Sequence, residues 1–237
     1  MKAIRWIGKL IWKTSLWFLG LSIGLVILYR FVPVPITPLM VIRLVEQAID
    51  PEKEVRLVKD WVPISEMSRH APQAVVGAED QTFMKHYGFD FKSLKKAWEG
   101  NKKNKRVKGA STITQQTAKN VFLWPSRSYV RKVFEAYFTV LIEIFWSKER
   151  ILEVYLNVIE TGPGCFGVEA AAQHYFNKSA KSLSRAEAAM IVAGFPNPKK
   201  FTANPMTKRV AWRYPQILRE MNNIEGDEDI SALLKNK

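Results

Sequence analysis

The stretch Glu79-Asp80-Gln81-Thr82-Phe83-Met84-Lys85-His86-Tyr87-Gly88 places two carboxylates and an imidazole close together. On a helix Glu79, Phe83 and His86 fall at i, i+4 and i+7 and share a face, with Asp80 about 100° around the axis. A carboxylate beside an aromatic, after the apolar run Ala74, Val75, Val76 and Ala78, is partly desolvated. Desolvation raises its pKa and makes it a usable base. The same spacing also fits an ordinary surface helix carrying a solvated Glu-Asp pair. A second stretch, Gly109-Ala110-Ser111-Thr112-Ile113-Thr114-Gln115-Gln116, offers hydroxyls and carboxamides after a small-residue entry. Gly109 lets backbone approach a ligand closely, and Ser111 is a natural N-cap whose following amides suit an anion. A merely capped helix with a polar face fits equally well.

A third feature is positive charge. Between Phe91 and Lys132 stand 12 Lys or Arg against the single acid Glu99, which is +11 (12 minus 1) of the chain's +14. The run from Lys102 to Lys108 reads as solvated. Lys119, Arg131 and Lys132 lie in or beside apolar helical pattern instead. Arg131 and Lys132 stand four and three residues before Glu135, which fits an ion-paired helix face. It fits equally a diphosphate cradle, with Arg giving forked contacts and Lys a point charge. In Lys148-Glu149-Arg150-Ile151-Leu152-Glu153-Val154-Tyr155-Leu156-Asn157 the residues Ile151, Leu152, Tyr155 and Leu156 form a core stripe, so this segment reads as structural.

These groups need helices to hold them. The pattern predicts helices over 72–85, 111–121, 129–146, 148–158, 183–193 and 208–221, with Gly88 as a stop and Ser147 as a cap. Residues 39–50 read as a short apolar helix, 54–60 as one strand, 162–164 as a tight turn, and 100–108 as a basic loop. One Cys, Cys165, excludes an intramolecular disulfide and a Cys-based zinc site. Only three histidines, His70, His86 and His174, argue against a His-rich metal site. Near the N-terminus, Thr14 to Tyr29 is 16 residues without a charge. With its apolar flanks it reaches the roughly 20 residues a bilayer requires. Lys2, Arg5, Lys9 and Lys13 precede it, placing the N-terminus in the cytoplasm. Val32-Pro33-Val34-Pro35 follows rather than a small-residue cleavage site, so the span reads as an uncleaved anchor.

Transfer of a glycosyl group from a sugar diphosphate needs a base for the acceptor hydroxyl, cations for the departing diphosphate and a groove aligning two saccharides. Hydrolysis needs a strong general acid instead. One candidate base beside a dense cationic patch favours transfer, and an anchor suits a lipid-linked substrate. With these motifs in order, the sequence resembles the monofunctional peptidoglycan glycosyltransferases of carbohydrate-active family 51, whose domain also occurs in bifunctional penicillin-binding proteins. The patterns E-D-x-x-F-x-x-H-x-G, G-x-S-T-I-T-Q-Q, R-K-x-x-E and K-x-x-I-L-E-x-Y-L-N match at 79–88, 109–116, 131–135 and 148–157. The resemblance implies a mainly α fold: a lysozyme-like helical lobe plus a smaller membrane-associated lobe, preceded by one transmembrane helix. It divides the chain into a cytoplasmic N-terminus (1–12), the span (13–32), a membrane-proximal linker (33–59), the glycosyltransferase domain (60–222) and a C-terminal tail (223–237), with 92–108 mobile.

It implies lipid II as substrate, with the growing glycan passing from undecaprenyl diphosphate to the GlcNAc 4-hydroxyl in an inverting, β-1,4-forming reaction. Glu79 would be the base. Lys119, Arg131 and Lys132 would hold the diphosphate, and Glu135 would orient these cations or assist the leaving group. Ser111, Thr112, Gln115 and Gln116 would line the cleft, while Asp80, Phe83, His86 and Gly109 support the motifs. No cofactor is required and no metal ligand is assigned, although stimulation by magnesium or manganese occurs in some members. Ser93 and Lys96 have the transpeptidase S-x-x-K spacing, but no K-T-G follows, so the chain should polymerise glycan without cross-linking peptides. Expected partners are lipid II, the growing glycan chain, membrane lipid, and cell-wall synthesis or division proteins, with no nucleic acid. The expected location is the bacterial inner membrane, single-pass, with the catalytic domain in the periplasm. A lytic enzyme cleaving the same polymer and a non-enzymatic polyanion binder are the rival readings.

Overall fold

The computed structural model describes residues 2–52, 54–103, 111–126 and 128–235. It opens with α1 (Lys2–Phe31), whose segment Arg5–Phe31 is long and apolar enough to cross a membrane. The chain then passes Pro33 and Pro35 into α2 (Pro38–Ile49), capped by the Thr37 hydroxyl, which accepts from the Met40 amide. Next come β1 (Val58–Lys59), α3 (His70–Glu79), α4 (Phe91–Lys103), α5 (Ile113–Phe122), α6 (Tyr129–Phe145) and α7 (Lys148–Val158). A hairpin of β2 (Glu160–Gly162) and β3 (Cys165–Phe166) leads to α8 (Val168–Phe176), α9 (Arg185–Gly194), α10 (Lys208–Ile224) and α11 (Glu228–Lys235). The mainly helical class read from the sequence holds.

Two groups of helices form the core. α3 packs against α9 and α10, and α5 against α6 and α7. In α3 every residue from Ala71 to Gly77 is buried. Apart from Gln73, whose amide donates to the Met221 carbonyl, this stretch is apolar all round, and such a helix belongs inside. A Cβ on Gly77 would sit 3.2 Å from the backbone of Glu220 and Met221, so the absence of a side chain lets α10 cross α3 closely. The small sheet has the order β1-β3-β2, with β1 parallel and β2 antiparallel to β3. At the hairpin turn Gly164 has φ +65°, and a Cβ there would meet the Arg56 carbonyl oxygen at 2.2 Å. Only glycine fits there.

The apolar helix α1 packs against the helical body. Phe18 stacks edge-on against Phe134 of α6, with 5.6 Å between ring centroids. The Ser22 and Tyr137 hydroxyls lie 2.7 Å apart. The indole N–H of Trp146 donates to the Val26 carbonyl at 2.7 Å, and Arg150 donates to the Tyr29 carbonyl at 2.8 and 3.0 Å. The last turn of α1 thus has carbonyls capped from α7, where a helix end otherwise leaves them bare.

Several expected boundaries move. The helix expected over 72–85 ends at Glu79, and only Phe83–Lys85 forms a further 3-10 turn. Asp80 takes φ −162°, because its carboxylate is drawn into tertiary hydrogen bonds. The shared helical face of Glu79, Phe83 and His86 therefore does not exist. Ser111 is exposed and is not a cap; Thr112 is the N-cap of α5, in a capping box with Gln115. The strand expected over 54–60 shrinks to two residues, and the 160–166 hairpin was not anticipated. Of the basic loop and the mobile 92–108 segment, residues up to Lys103 are helical in α4, whereas 104–110, with Gly109, lie outside the described residues. The 223–237 tail carries α11, whose Ile230 is buried.

Candidate active site

Glu79 ends α3 at the floor of a cleft of about 750 Å³, also lined by Ser111, Thr112, Gln116 and Lys119. The Gln116 carboxamide donates to Glu79 Oε2 at 2.8 Å. Burial pushes the Glu79 carboxyl above its usual range. The Gln116 hydrogen bond and the charges of Arg213 and Lys119 pull the other way without cancelling it. Desolvation favours the neutral form, whereas donors and cations favour the charged one. The net result is a carboxyl more basic than a solvated glutamate.

Asp80, its neighbour, turns the opposite way and is buried. Both of its oxygens meet His86 Nε2, at 3.0 and 3.1 Å, and Oδ2 accepts the Ile113 amide at 3.1 Å. It therefore ties the end of the first motif to the first turn of α5, where a carboxylate also meets the positive end of the helix dipole. The Thr112 hydroxyl donates to the Gly88 carbonyl at 2.6 Å, adding a second tie. Gln115 uses its carboxamide oxygen on the Thr112 amide at 3.1 Å, so it serves the capping box. Phe83 is fully buried under Lys148, whose ammonium lies 4.7 Å from the ring centroid. Lys148 also donates to the His86 carbonyl at 2.7 Å and pairs with Glu143 at 2.8 Å. The fourth motif thus braces the first, as its structural reading anticipated. Asn157 of the same motif clasps Val62 through both its amide and its carbonyl, each at 2.9 Å.

A second cavity of about 570 Å³ adjoins the cleft, and Lys119 and Phe195 line both. Arg131 lines this second cavity, whereas Lys132 is not part of its wall. Glu135, almost wholly buried on α6, pairs with both Arg131 and Lys132. Arg131 is also held by the Ser126 carbonyl. Burial holds the Lys119 ammonium below its usual pKa, with Glu135 and Glu79 opposing that and Arg131 and Lys132 reinforcing it. Sequence reasoning missed the contribution of α2. Leu39 and Arg43 line the second cavity, and Arg43 forks onto Glu160 with both contacts at 2.9 Å. Its i, i+3 partner Glu46 was a readable signal, but Glu160, 117 positions away, was not. Among the described residues no three His, Cys, Asp or Glu side chains converge to hold a metal ion.

A mainly helical body with a desolvated carboxyl in its cleft, an adjoining cationic cavity and a helix long and apolar enough to cross a membrane fits a glycan-transferring enzyme. Residues 47–222 match the model of the transglycosylase family, and the chain belongs to that family. Relatives named biosynthetic peptidoglycan transglycosylase include one from Bdellovibrio bacteriovorus, 55% identical and aligned over 92% of this chain and 87% of its own. One from Bacteroides thetaiotaomicron is 51% identical, covering 87% and 83%. One from Pseudomonas fluorescens is 46% identical, covering 93% and 92%. The activity of the chain is accordingly peptidoglycan transglycosylation, the polymerisation of glycan.

Proposed function

We propose that the enzyme extends glycan by inverting transfer from a polyprenyl diphosphate, with lipid II as acceptor and undecaprenyl diphosphate as leaving group. Glu79 takes the proton of the GlcNAc 4-hydroxyl in the cleft. The freed oxygen attacks the anomeric carbon of the growing strand and forms the β-1,4 bond, while the bond from that carbon to the diphosphate breaks. The leaving anion lies against Lys119 and Arg131, with Lys132 contributing from the other side of Glu135. Glu135 aligns both cations, and Thr112 and Gln115 set the cleft wall that Ser111 and Gln116 complete. The observation that carries this reading is Lys119, which belongs to both cavities and so joins a basic carboxyl to a cationic one. A carboxyl with raised pKa alone would equally serve as the acid of a lytic enzyme. Cleaving an uncharged glycan has no use for the adjoining cations.

A divalent ion would act on the substrate diphosphate. The N-terminus lies in the cytoplasm and the catalytic body outside the inner membrane, a reading supported by the basic residues before the apolar span. Protein partners would come from cell-wall synthesis or division. Polymerisation of fluorescent lipid II by detergent-solubilised protein tests the reading. Glu79→Gln should lose at least ~100-fold in rate, the low end for a positioned base. Full activity in that variant would remove Glu79 from the role, and release of soluble fragments from purified cell wall would favour the lytic alternative.

A further inference from the structure

A polar contact behind the cleft belongs to a residue that reads, from its sequence, as core. Tyr155 on α7 is fully buried, yet its hydroxyl donates to Gln116 Oε1 at 3.2 Å. The other end of the same carboxamide donates to Glu79 at 2.8 Å. The three groups form one chain running from the core to the cleft. We propose that Tyr155 is a positioning residue that fixes which end of the Gln116 amide faces Glu79. The inference rests on the reading of Glu79 as the base.

An amide has two nearly isosteric ends, one a donor and the other an acceptor. With its N–H₂ towards Glu79, Gln116 stabilises the carboxylate; with its oxygen there it would repel it. Tyr155 supplies a buried donor to the oxygen end, and a buried acceptor left without one is costly. Burial pushes the phenol further above its ordinary pKa, with the charge of Glu79 adding to the effect, so it remains a donor throughout the working range. The phenol ring lies 6.2 Å, centroid to centroid, from Phe195, which lines both cavities. Tyr155→Phe keeps that ring and removes one oxygen.

Without its anchor the Gln116 amide turns or swings away, and Glu79 loses its fixed donor. A carboxylate that loses a donor is protonated at higher pH. The polymerisation pH profile of Tyr155→Phe should therefore show its acid limb displaced upward by about one unit. Its rate on the plateau and its KM for lipid II should stay within about twofold of wild type, well short of the effect of removing a positioned base. Gln116→Ala should displace the limb at least as far, and the double variant should coincide with Gln116→Ala, because Tyr155 acts through that amide. An unmoved acid limb, or a uniform loss of rate at every pH, would overturn the proposal. So would a double variant displaced beyond Gln116→Ala. Should Tyr155→Phe fail to fold, an unmoved limb in Gln116→Ala would be decisive against it, and a displaced one would support it. Retention of full activity by Glu79→Gln would locate the failure in the base assignment instead, whereas an inactive Glu79→Gln with unmoved limbs would sink the relay alone.

Discussion

Glu79 and Lys119 are shifted towards each other by the same burial, one up and one down. In the proposed mechanism their working forms, carboxylate and ammonium, are both the charged and disfavoured ones. The rate of polymerisation should fall on the acid side as Glu79 takes up a proton, at a pH above the ordinary glutamate value of 4.5. It should fall on the alkaline side as Lys119 loses one, below the ordinary lysine value of 10.5. Lys119→Arg keeps its charge throughout that range and should remove the alkaline limb, at some loss of rate, since a guanidinium is not shaped like an ammonium. An alkaline limb that persists in Lys119→Arg would assign it to another group. Stability carries the opposite sign. A carboxyl whose folded pKa is raised binds its proton more tightly when folded, so it destabilises the fold above its unfolded pKa. Glu79→Gln should thus melt at a higher temperature than wild type at neutral pH while losing activity, the exchange expected where a site is held desolvated for function.

At the scale of elements, the motifs are fasteners between helices as much as chemistry. Asp80 joins the end of α3 to α5 through the Ile113 amide and holds His86 of the intervening segment. Asp80→Ala leaves that buried amide without an acceptor and should cost roughly 1–3 kcal/mol, measured by chemical unfolding. A cost below the scatter of such measurements would show the tie to be idle. The same contact explains what could be read in advance. Helix existence was legible, because apolar periodicity and a cap such as Ser147 are local. So were Glu79, Ser111, Thr112 and Gln116 of the cleft wall, because the motifs carry them, whereas Phe195 and Pro196 lie outside any motif. The end of α3 at Glu79 was not, since nothing before Asp80 in the chain predicts that its side chain bonds residue 113. Nor was the 160–166 hairpin, whose partner Val58 lies more than 100 positions away. The wall formed by α2 depends on Arg43 reaching Glu160, again a long-range pair.

For the whole molecule, the apolar helix α1 counts as a structural part of the enzyme. Val26 is wholly buried and belongs to the same apolar cluster as Trp146, Phe138 and Ile142 of the catalytic body. Stripping α1 would bare that surface and leave the buried Trp146 indole and the guanidinium of Arg150 without the carbonyls of Val26 and Tyr29. Arg150 would keep its contact with the Val32 carbonyl, its pair with Glu153 and its place over the Trp61 ring, 5.1 Å from the centroid. A hinged tether would instead allow the body to swing freely below the span. The two pictures separate in a spin-label experiment on the full chain in lipid discs, with labels at the exposed residues Leu21 and Met206. A docked anchor gives one narrow distance distribution in wild type. Arg150→Gln combined with Trp146→Phe removes the carbonyl contacts while keeping an aromatic in place, and should broaden the distribution and lower the melting temperature. Truncation at residue 33 should lower it further, because each uncovered large apolar side chain forfeits about 1.5–3 kcal/mol of burial. Unchanged distances in the double variant would show that the aromatic contacts of Phe18 with Phe134 and Tyr137 hold the anchor unaided. Their removal by Phe18→Ala would then be expected to release it.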